Sequence, residues 1–350
     1  TGTIITSNTS GIPIKLMNEG RSDDFKECFA ITHFFNPPRY LNLFEVVPGP
    51  DCKKEILDFL LDYGEKFLGK TSVLAKDTPA FIGNRIGIFG IMSLFHQIKS
   101  GEYSVEEVDK LTGPAIGRPK SATFRTADIA GLDTMCHVAN GVYEKCKDDE
   151  SREVFKLPDF LQKMLDNNML GSKTGKGFYK KIKDDNGKSK ILALDLNTFK
   201  YNEQKKVSYE TLKNARKCKK RDEKFKTLIS GNDKASKFYE ENFARMFGYI
   251  QNRIPEISND ITSIDAALKT GFGWKDGPFE IWNYIGVKEG VELMKKFDLK
   301  PAEWINEMIK KNTNNFYRIN DGFKEYYDIN SNSFNKIAGQ DGFVILKNIP

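Results

Sequence analysis

The chain has 350 residues, 39% hydrophobic and 12% aromatic, enough for ordinary cores in two or three domains of roughly 100–200 residues each. Lys+Arg 54 against Asp+Glu 48 leave a net charge of +6, a mild balance that suits anionic small molecules and makes no case for nucleic acid. Five scattered cysteines (Cys28, Cys52, Cys136, Cys146, Cys218) form no CxxC pair and no cluster with a histidine, which argues against a disulfide framework or a metal site and fits a reducing, cytoplasmic compartment.

The opening Thr1-Gly2-Thr3-Ile4-Ile5-Thr6 carries no Met, basic n-region or apolar h-region, so it is not a signal peptide. It reads as mid-strand, and the chain is expected to be a piece of a longer polypeptide. No window approaches the roughly 18 uncharged apolar residues of a membrane span. Thr3–Thr6 is a short strand running into the turn-forming Ser7-Asn8-Thr9-Ser10-Gly11. Phe29–Phe35 and Leu41–Val47 are two further strands, separated by Asn36-Pro37-Pro38-Arg39, which cannot continue a ladder because proline lacks the donor.

From about residue 51 the apolar period turns helical. Ile56, Phe59, Leu60, Tyr63 and Phe67 predict a core-facing helix. Asp77-Thr78-Pro79 predicts a cap and first turn for a helix running through Phe81, Ile82, Ile88, Met92 and Phe95 to near Gly101. Further helices are expected over 104–112, 127–146 and 157–168, and Gly171 to Tyr179 reads as a glycine-rich turn into a short aromatic strand. Residues 183–226 are lysine-heavy and broken by Asn186-Gly187, and are read as a linker followed by a solvated helix. The basic run 205–226 could attract phosphates, but its few aromatics and interspersed acids favour a solvated face. A second helical block covers 234–312, with Trp274, Trp282 and Trp304 expected in its core. Asn320-Asp321-Gly322 signals a hairpin, and Gly342–Leu346 starts another strand.

One pattern occurs twice. Val108-Asp109-Lys110-Leu111-Thr112-Gly113 leads to Ala127-Asp128-Ile129-Ala130-Gly131-Leu132, and Ile264-Asp265-Ala266-Ala267-Leu268-Lys269-Thr270-Gly271 leads to Ile281-Trp282-Asn283-Tyr284-Ile285-Gly286-Val287. Both read as helix, glycine turn, helix, glycine, so two helical domains of common design are expected. The segmentation is 1–75 for the α/β part, 76–182 for the first helical domain, 183–232 for a charged linker and 233–350 for the second helical domain.

Of the three histidines, His96 and His137 fall in predicted helices and read as structural or surface residues. His33 differs. If its strand and the next pair antiparallel about Arg39, six residues on either side place His33 opposite Glu45, with Cβ atoms about 4.5–5.5 Å apart. Such a carboxylate would favour imidazolium and fix the ring tautomer, as a general base requires of its orienting partner. A surface cross-strand ion pair is the alternative that spacing leaves open.

Ser7-Asn8-Thr9-Ser10, His33-Phe34-Phe35-Asn36-Pro37, Glu45 and Asp77-Thr78-Pro79-Ala80-Phe81-Ile82-Gly83-Asn84-Arg85, in this order and spacing, resemble the 3-hydroxyacyl-CoA dehydrogenases. Lys173-Thr174-Gly175-Lys176-Gly177-Phe178-Tyr179 resembles the segment closing that family's helical domain, so the likeness is collinear over about 1–180. The second helical block resembles the longer bacterial form, in which a duplicated helical domain precedes an enoyl-CoA hydratase domain. The resemblance implies a mainly α chain with an α/β N-terminal remnant. That remnant would be the end of a Rossmann-type domain, followed by two tandem helical domains like the C-terminal domain of 6-phosphogluconate dehydrogenase. It implies NAD-dependent oxidation of an (S)-3-hydroxyacyl-CoA thioester in fatty-acid β-oxidation. His33 then matches the general base, Glu45 its orienting carboxylate, Ser10 and Asn84 the substrate-positioning groups, and Ser10, Asn36 and Lys173 the NAD contacts. No metal is implied. A pseudo-dimer within the chain, or a homo-oligomer, is expected.

The sequence departs from the family in three places. No G-x-G-x-x-G turn is present, and Gly171–Lys176 lacks phosphate-loop spacing, so the chain by itself is expected to bind NAD weakly or not at all. Gly11 stands where a second serine is usual, and Pro38-Arg39-Tyr40 replaces a more apolar segment. The competing expectations are a non-catalytic helical dimerisation or scaffold module derived from the enzyme, and another β-hydroxyacid dehydrogenase.

Overall fold

A computed structural model of the chain describes residues 3–98, 101–184, 186–340, 342 and 345–348. It contains two compact units, Thr1–Gly83 together with Phe243–Pro350, and Asn84–Asn242. The first unit begins with β1 (Ile5–Ser7), α1 (Ile14–Asn18), α2 (Asp23–Glu27), β2 (Phe29–Phe34), β3 (Leu43–Pro48), α3 (Lys54–Lys66) and β4 (Thr71–Leu74). The four strands form one sheet in the order β1-β2-β3-β4. β1 is parallel to β2, β2 antiparallel to β3, and β3 parallel to β4. Five of six residues are buried in each of β2 and β3, as expected of central strands covered on both faces.

Alternation along these strands divides the two faces. Ala30, Phe44 and Val46 pack with Ile56 and Leu60 of α3. The opposite parity puts Ile31, His33, Leu43 and Glu45 on the other face. The aromatic residues of α3 do not face the core as their spacing predicts: Phe59, Tyr63 and Phe67 are exposed, and stack on one another at 5.7 and 5.5 Å between ring centroids. An i, i+4, i+8 stripe marks one helix face but does not say which face is inward. Here Ile56, Leu60 and Gly64 take that side.

The next helix, α4 (Gly83–Ile98), begins later than Asp77-Thr78-Pro79 predicts. Ala80 and Phe81 have φ of 67° and 48°, a left-handed turn that delays the helix and costs of order 1–3 kcal/mol per residue. Asp77 is not its cap, since its Oδ2 accepts the Ile14 N–H at 2.9 Å. In the second unit α4 is followed by α5 (Val105–Thr112), α6 (Phe124–Ala130), α7 (Leu132–Lys145) and α8 (Asp159–Asp166). A reciprocal capping box between Ser104 and Glu107 starts α5. The single helix expected over 127–146 is two helices meeting at Gly131, whose φ is 95°.

The predicted linker is ordered. β5 (Tyr179–Lys183), β6 (Ser189–Leu194) and β7 (Tyr201–Glu203) form an antiparallel sheet, with Asn186-Gly187 in the turn between its first two strands. Only the end of β6 is buried, at Ala193 and Leu194, and the lysines and half-exposed positions before it show no clear alternation. The one solvated helix expected after it is two, α9 (Glu210–Lys217) and α10 (Arg221–Ile229), which bury Leu212, Ala215, Phe225 and Leu228.

Then come α11 (Lys234–Gln251), α12 (Ile261–Gly271), α13 (Pro278–Ile285), α14 (Val287–Lys295) and α15 (Glu303–Lys310). They are followed by a three-stranded sheet of β8 (Tyr317–Asn320), β9 (Phe323–Asp328) and β10 (Ser333–Lys336). Asp321-Gly322 makes the predicted hairpin. Trp282 is fully buried, whereas Trp274 and Trp304 are only half-buried. The strand expected over 342–346 falls partly outside the described residues, and Leu346–Asn348 forms a 3-10 turn.

The two helical stretches share internal wiring. Asp109 of α5 accepts the Phe124 N–H (2.7 Å) at the start of α6 and the Tyr179 hydroxyl (2.8 Å). Asp265 of α12 accepts the Phe279 N–H (2.8 Å) at the start of α13 and the Tyr317 hydroxyl (2.7 Å). Asp128 holds the N–H groups of Phe178 and Tyr179, and Asn283 holds those of Phe316 and Tyr317. Gly131 and Gly286, both at positive φ, occupy matching breaks before α7 and α14. In each, a carboxylate on one helix satisfies the orphan N–H groups of the next and ties down the strand that follows.

Candidate active site

His33 and Glu45 meet. They are direct cross-strand partners in the β2–β3 ladder, and His33 Nδ1 lies 2.7 Å from Glu45 Oε2. Glu45 is fully buried and His33 is 7% exposed, so the pair is not the surface ion pair left open by spacing. Glu45 Oε1 accepts the N–H groups of Ile82 (3.0 Å) and Gly83 (2.8 Å). These lie at the start of α4, where unpaired N–H groups and the helix dipole favour negative charge. Glu45 therefore takes the role that sequence assigned to Asp77, and the left-handed turn at Ala80-Phe81 is what aims these N–H groups at it.

This arrangement assigns the imidazole tautomer. An ionised carboxylate only accepts hydrogen bonds, so Nδ1 must donate, leaving the lone pair of the neutral ring on Nε2. Two phenylalanine rings flank the imidazole in T-shaped contacts, Phe35 at 5.2 Å and Phe81 at 5.4 Å between centroids. Such packing limits rotation of the ring and keeps water from its sides.

The other sequence-assigned residues are distributed as follows. Ser10 is half-buried in the bend after β1, and Asn36 is exposed just beyond β2. Among the described residues neither hydrogen-bonds to His33 or Glu45. Asn84 follows Gly83 in the first turn of α4 and is half-buried. Lys173 lies in the second unit, in the 3-10 turn Ser172–Thr174, and pairs with Asp133. His96 Nε2 lies 2.9 Å from the Lys156 carbonyl, and His137 is exposed on α7, in keeping with structural or surface roles. Sequence reasoning passed over Asn8, whose Oδ1 accepts the Phe34 N–H at 2.9 Å and pins the loop after β1 beside His33. Its place in the Ser7–Ser10 polar run was the available signal.

The carboxyl ends of the parallel strands β1 and β2 thus carry Asn8, Ser10, His33 and Asn36, where open α/β sheets hold ligands. Side chains of this kind suit a polar ligand such as a dinucleotide. The sequence supplies no glycine-rich loop for its pyrophosphate. Among the described residues no group of three His, Cys, Asp or Glu could hold a metal ion, and no helix is long and apolar enough to cross a membrane.

A probable 3-hydroxyacyl-CoA dehydrogenase of Bacillus subtilis is 46% identical over 328 residues, covering 94% of this chain and 41% of the relative. Another from Deinococcus radiodurans is 46% identical over 188 residues, covering 54% of each chain. The chain thus spans about half or less of the length of these curated relatives. The crystal structure of 3-hydroxybutyryl-CoA dehydrogenase from Escherichia coli superposes with a TM-score of 0.66 at 18% identity, covering 88% of this chain and 75% of that one, which establishes a shared fold. Residues 1–78 match the NAD binding domain of 3-hydroxyacyl-CoA dehydrogenase and residues 81–181 its C-terminal domain. Those two matches together take in more than half of the sequence, and the chain belongs to the 3-hydroxyacyl-CoA dehydrogenase family.

Proposed function

We propose that this chain carries the catalytic base of an NAD-dependent dehydrogenase that oxidises (S)-3-hydroxyacyl-CoA thioesters to 3-ketoacyl-CoA in fatty-acid oxidation. The observation that supports it is the buried His33–Glu45 pair, which leaves Nε2 as a proton acceptor. Nε2 takes the 3-hydroxyl proton, and the O–H electron pair becomes the second C–O bond of the ketone as hydride leaves C3. NAD, when bound, supplies the hydride acceptor. Glu45 stabilises the imidazolium that forms and holds the ring in line. Ser10 and Asn84 are assigned to hold the substrate oxygen, and Asn36 and Lys173, with Ser10, to contact the dinucleotide. The matched wiring of Asp109 and Asp265 supports reading the two helical stretches as copies of one domain.

The test is His33→Gln in NAD-competent enzyme, followed by NADH oxidation with acetoacetyl-CoA. Turnover should fall by at least about 100-fold, at the low end of what general-base loss costs, with the fold retained by circular dichroism. Near-normal turnover would refute the assignment.

A further inference from the structure

We propose that the C-terminal end of α12 positions the catalytic imidazole, with Gly271 and Phe272 acting on His33 through Phe35. This rests on the reading of His33 as the base, and it gives the second helical stretch a part in the site that the mechanism above does not use.

Phe35 lies two residues beyond His33, is 8% exposed, and packs its ring in a T-shaped contact with the imidazole. Its own ring sits in a slot between two glycines. A Cβ on Gly83 would lie 2.6 Å from Phe35 Cζ, and a Cβ on Gly271 would lie 3.2 Å from Phe35 Cδ1 and 2.8 Å from Leu43 Cδ2. Phe272 closes the slot with an edge contact at 5.7 Å and 65°. α12 packs directly on β3 and β4. Its end is also tied by backbone: the Asn42 N–H donates to the Thr270 carbonyl at 3.1 Å, while the Asn42 carbonyl accepts the Thr71 N–H at 2.8 Å. The wall is thus bonded to the same strands that carry Glu45 and its neighbours.

Glu45 fixes the imidazole at one atom, Nδ1. With the ring held covalently at Cγ and by one hydrogen bond at Nδ1, the remaining freedom is a coupled tilt about its two side-chain torsions, and that tilt is what moves Nε2. Phe35 and Phe81 block it from their two contacts, and Phe35 can do so only while α12 holds it in its slot. Displacing a reacting group by about 1 Å can cost about 100-fold in rate. Phe272 and Gly271 are therefore positioning residues, and their loss should act on kcat before KM.

The experiment compares Phe272→Ala, Phe272→Leu and Gly271→Val in NAD-competent enzyme, with kinetics on acetoacetyl-CoA and ring-proton NMR of the histidines. This chain contributes the rings of His33, His96 and His137, and the spectrum of His33→Gln identifies the His33 resonances by their disappearance. Phe272→Ala should lower kcat about 10-fold, within the range misplacement allows, with KM little changed. Phe272→Leu should recover most of that loss. The His33 ring resonances should move in Phe272→Ala while those of His96 and His137 stay in place. Gly271→Val should reproduce both effects if it folds, and Phe272→Ala carries the test if it does not. A folded Phe272→Ala protein with unmoved His33 resonances, or with a loss confined to KM, would overturn the proposal. The NMR arm does not depend on turnover, so an inactive wild type or a fully active His33→Gln variant would count against the function while leaving the positioning question decided.

Discussion

Replacing Glu45 by Gln isolates the role of the carboxylate, because the side chain keeps its size while losing its negative charge and exchanging one acceptor for an NH₂ donor. In the wild type Oε1 accepts two backbone N–H groups, at 3.0 and 2.8 Å, and Oε2 accepts His33 Nδ1–H at 2.7 Å. Gln has one oxygen. If it stays with Ile82 and Gly83, its NH₂ faces Nδ1 and can only donate there. The ring must then carry its proton on Nε2, the atom that has to accept the substrate proton. In the comparable exchange of a triad carboxylate for its amide, the wrong tautomer costs about 10⁴-fold in kcat. The alternative, turning the amide toward the backbone, leaves two buried N–H donors without an acceptor at about 1–3 kcal/mol each. The first arrangement is the cheaper, so the expected phenotype is a folded enzyme with kcat reduced about 10⁴-fold and near-normal KM, read by NADH oxidation with acetoacetyl-CoA. A Glu45→Gln enzyme within about tenfold of wild-type kcat would refute the tautomer reasoning.

Three further outcomes follow from the wiring of the units. Arg85 and Asp149 form a 2.6 Å ion pair with both side chains fully buried, so Asp149→Ala should destabilise by about 3–5 kcal/mol in urea unfolding; a loss under about 1 kcal/mol would show the pair is hydrated in solution. Tyr317→Phe removes the hydroxyl donor to Asp265 and should cost about 1–2 kcal/mol, with no cost at all contradicting the shared wiring. Burial pushes Asp128 up to about 6 against the N–H groups of Phe178 and Tyr179, from an ordinary 3.8. The folded state then keeps a proton that the unfolded chain releases, so this stabilisation is full below about pH 4 and is lost as pH rises through about 6. Asp128→Asn should therefore gain up to about 3 kcal/mol relative to wild type between pH 4 and 7, and a pH-independent difference would contradict the shift.

The centre of the site was legible because it is local. His33 and Glu45 lie on adjacent strands joined by the short connection Phe35–Asn42, so counting from its middle at Arg39 gives their register, which the ladder reproduces. The cap on α4 was not legible. Asp77-Thr78-Pro79 has the residue types of a helix start, but the positive φ at Ala80 and Phe81 depends on Glu45, more than thirty residues earlier. The outward stripe of Phe59, Tyr63 and Phe67 defeats periodicity for a related reason, since a helix with two apolar faces needs its partner to choose between them. The sheet at Tyr179–Glu203 was hidden by lysines. The slot around Phe35 joins residues from three distant stretches of chain, and no local pattern marks Gly271 as the residue that must lack a side chain.

The whole mechanism depends on a buried carboxylate that holds His33 with its free lone pair on Nε2. Long-range ¹H–¹⁵N correlation of the neutral imidazole reads this directly. The account predicts a protonated Nδ1 and an unprotonated Nε2 for His33 in the wild type, reversed in Glu45→Gln. A wild-type ring protonated on Nε2 would contradict it.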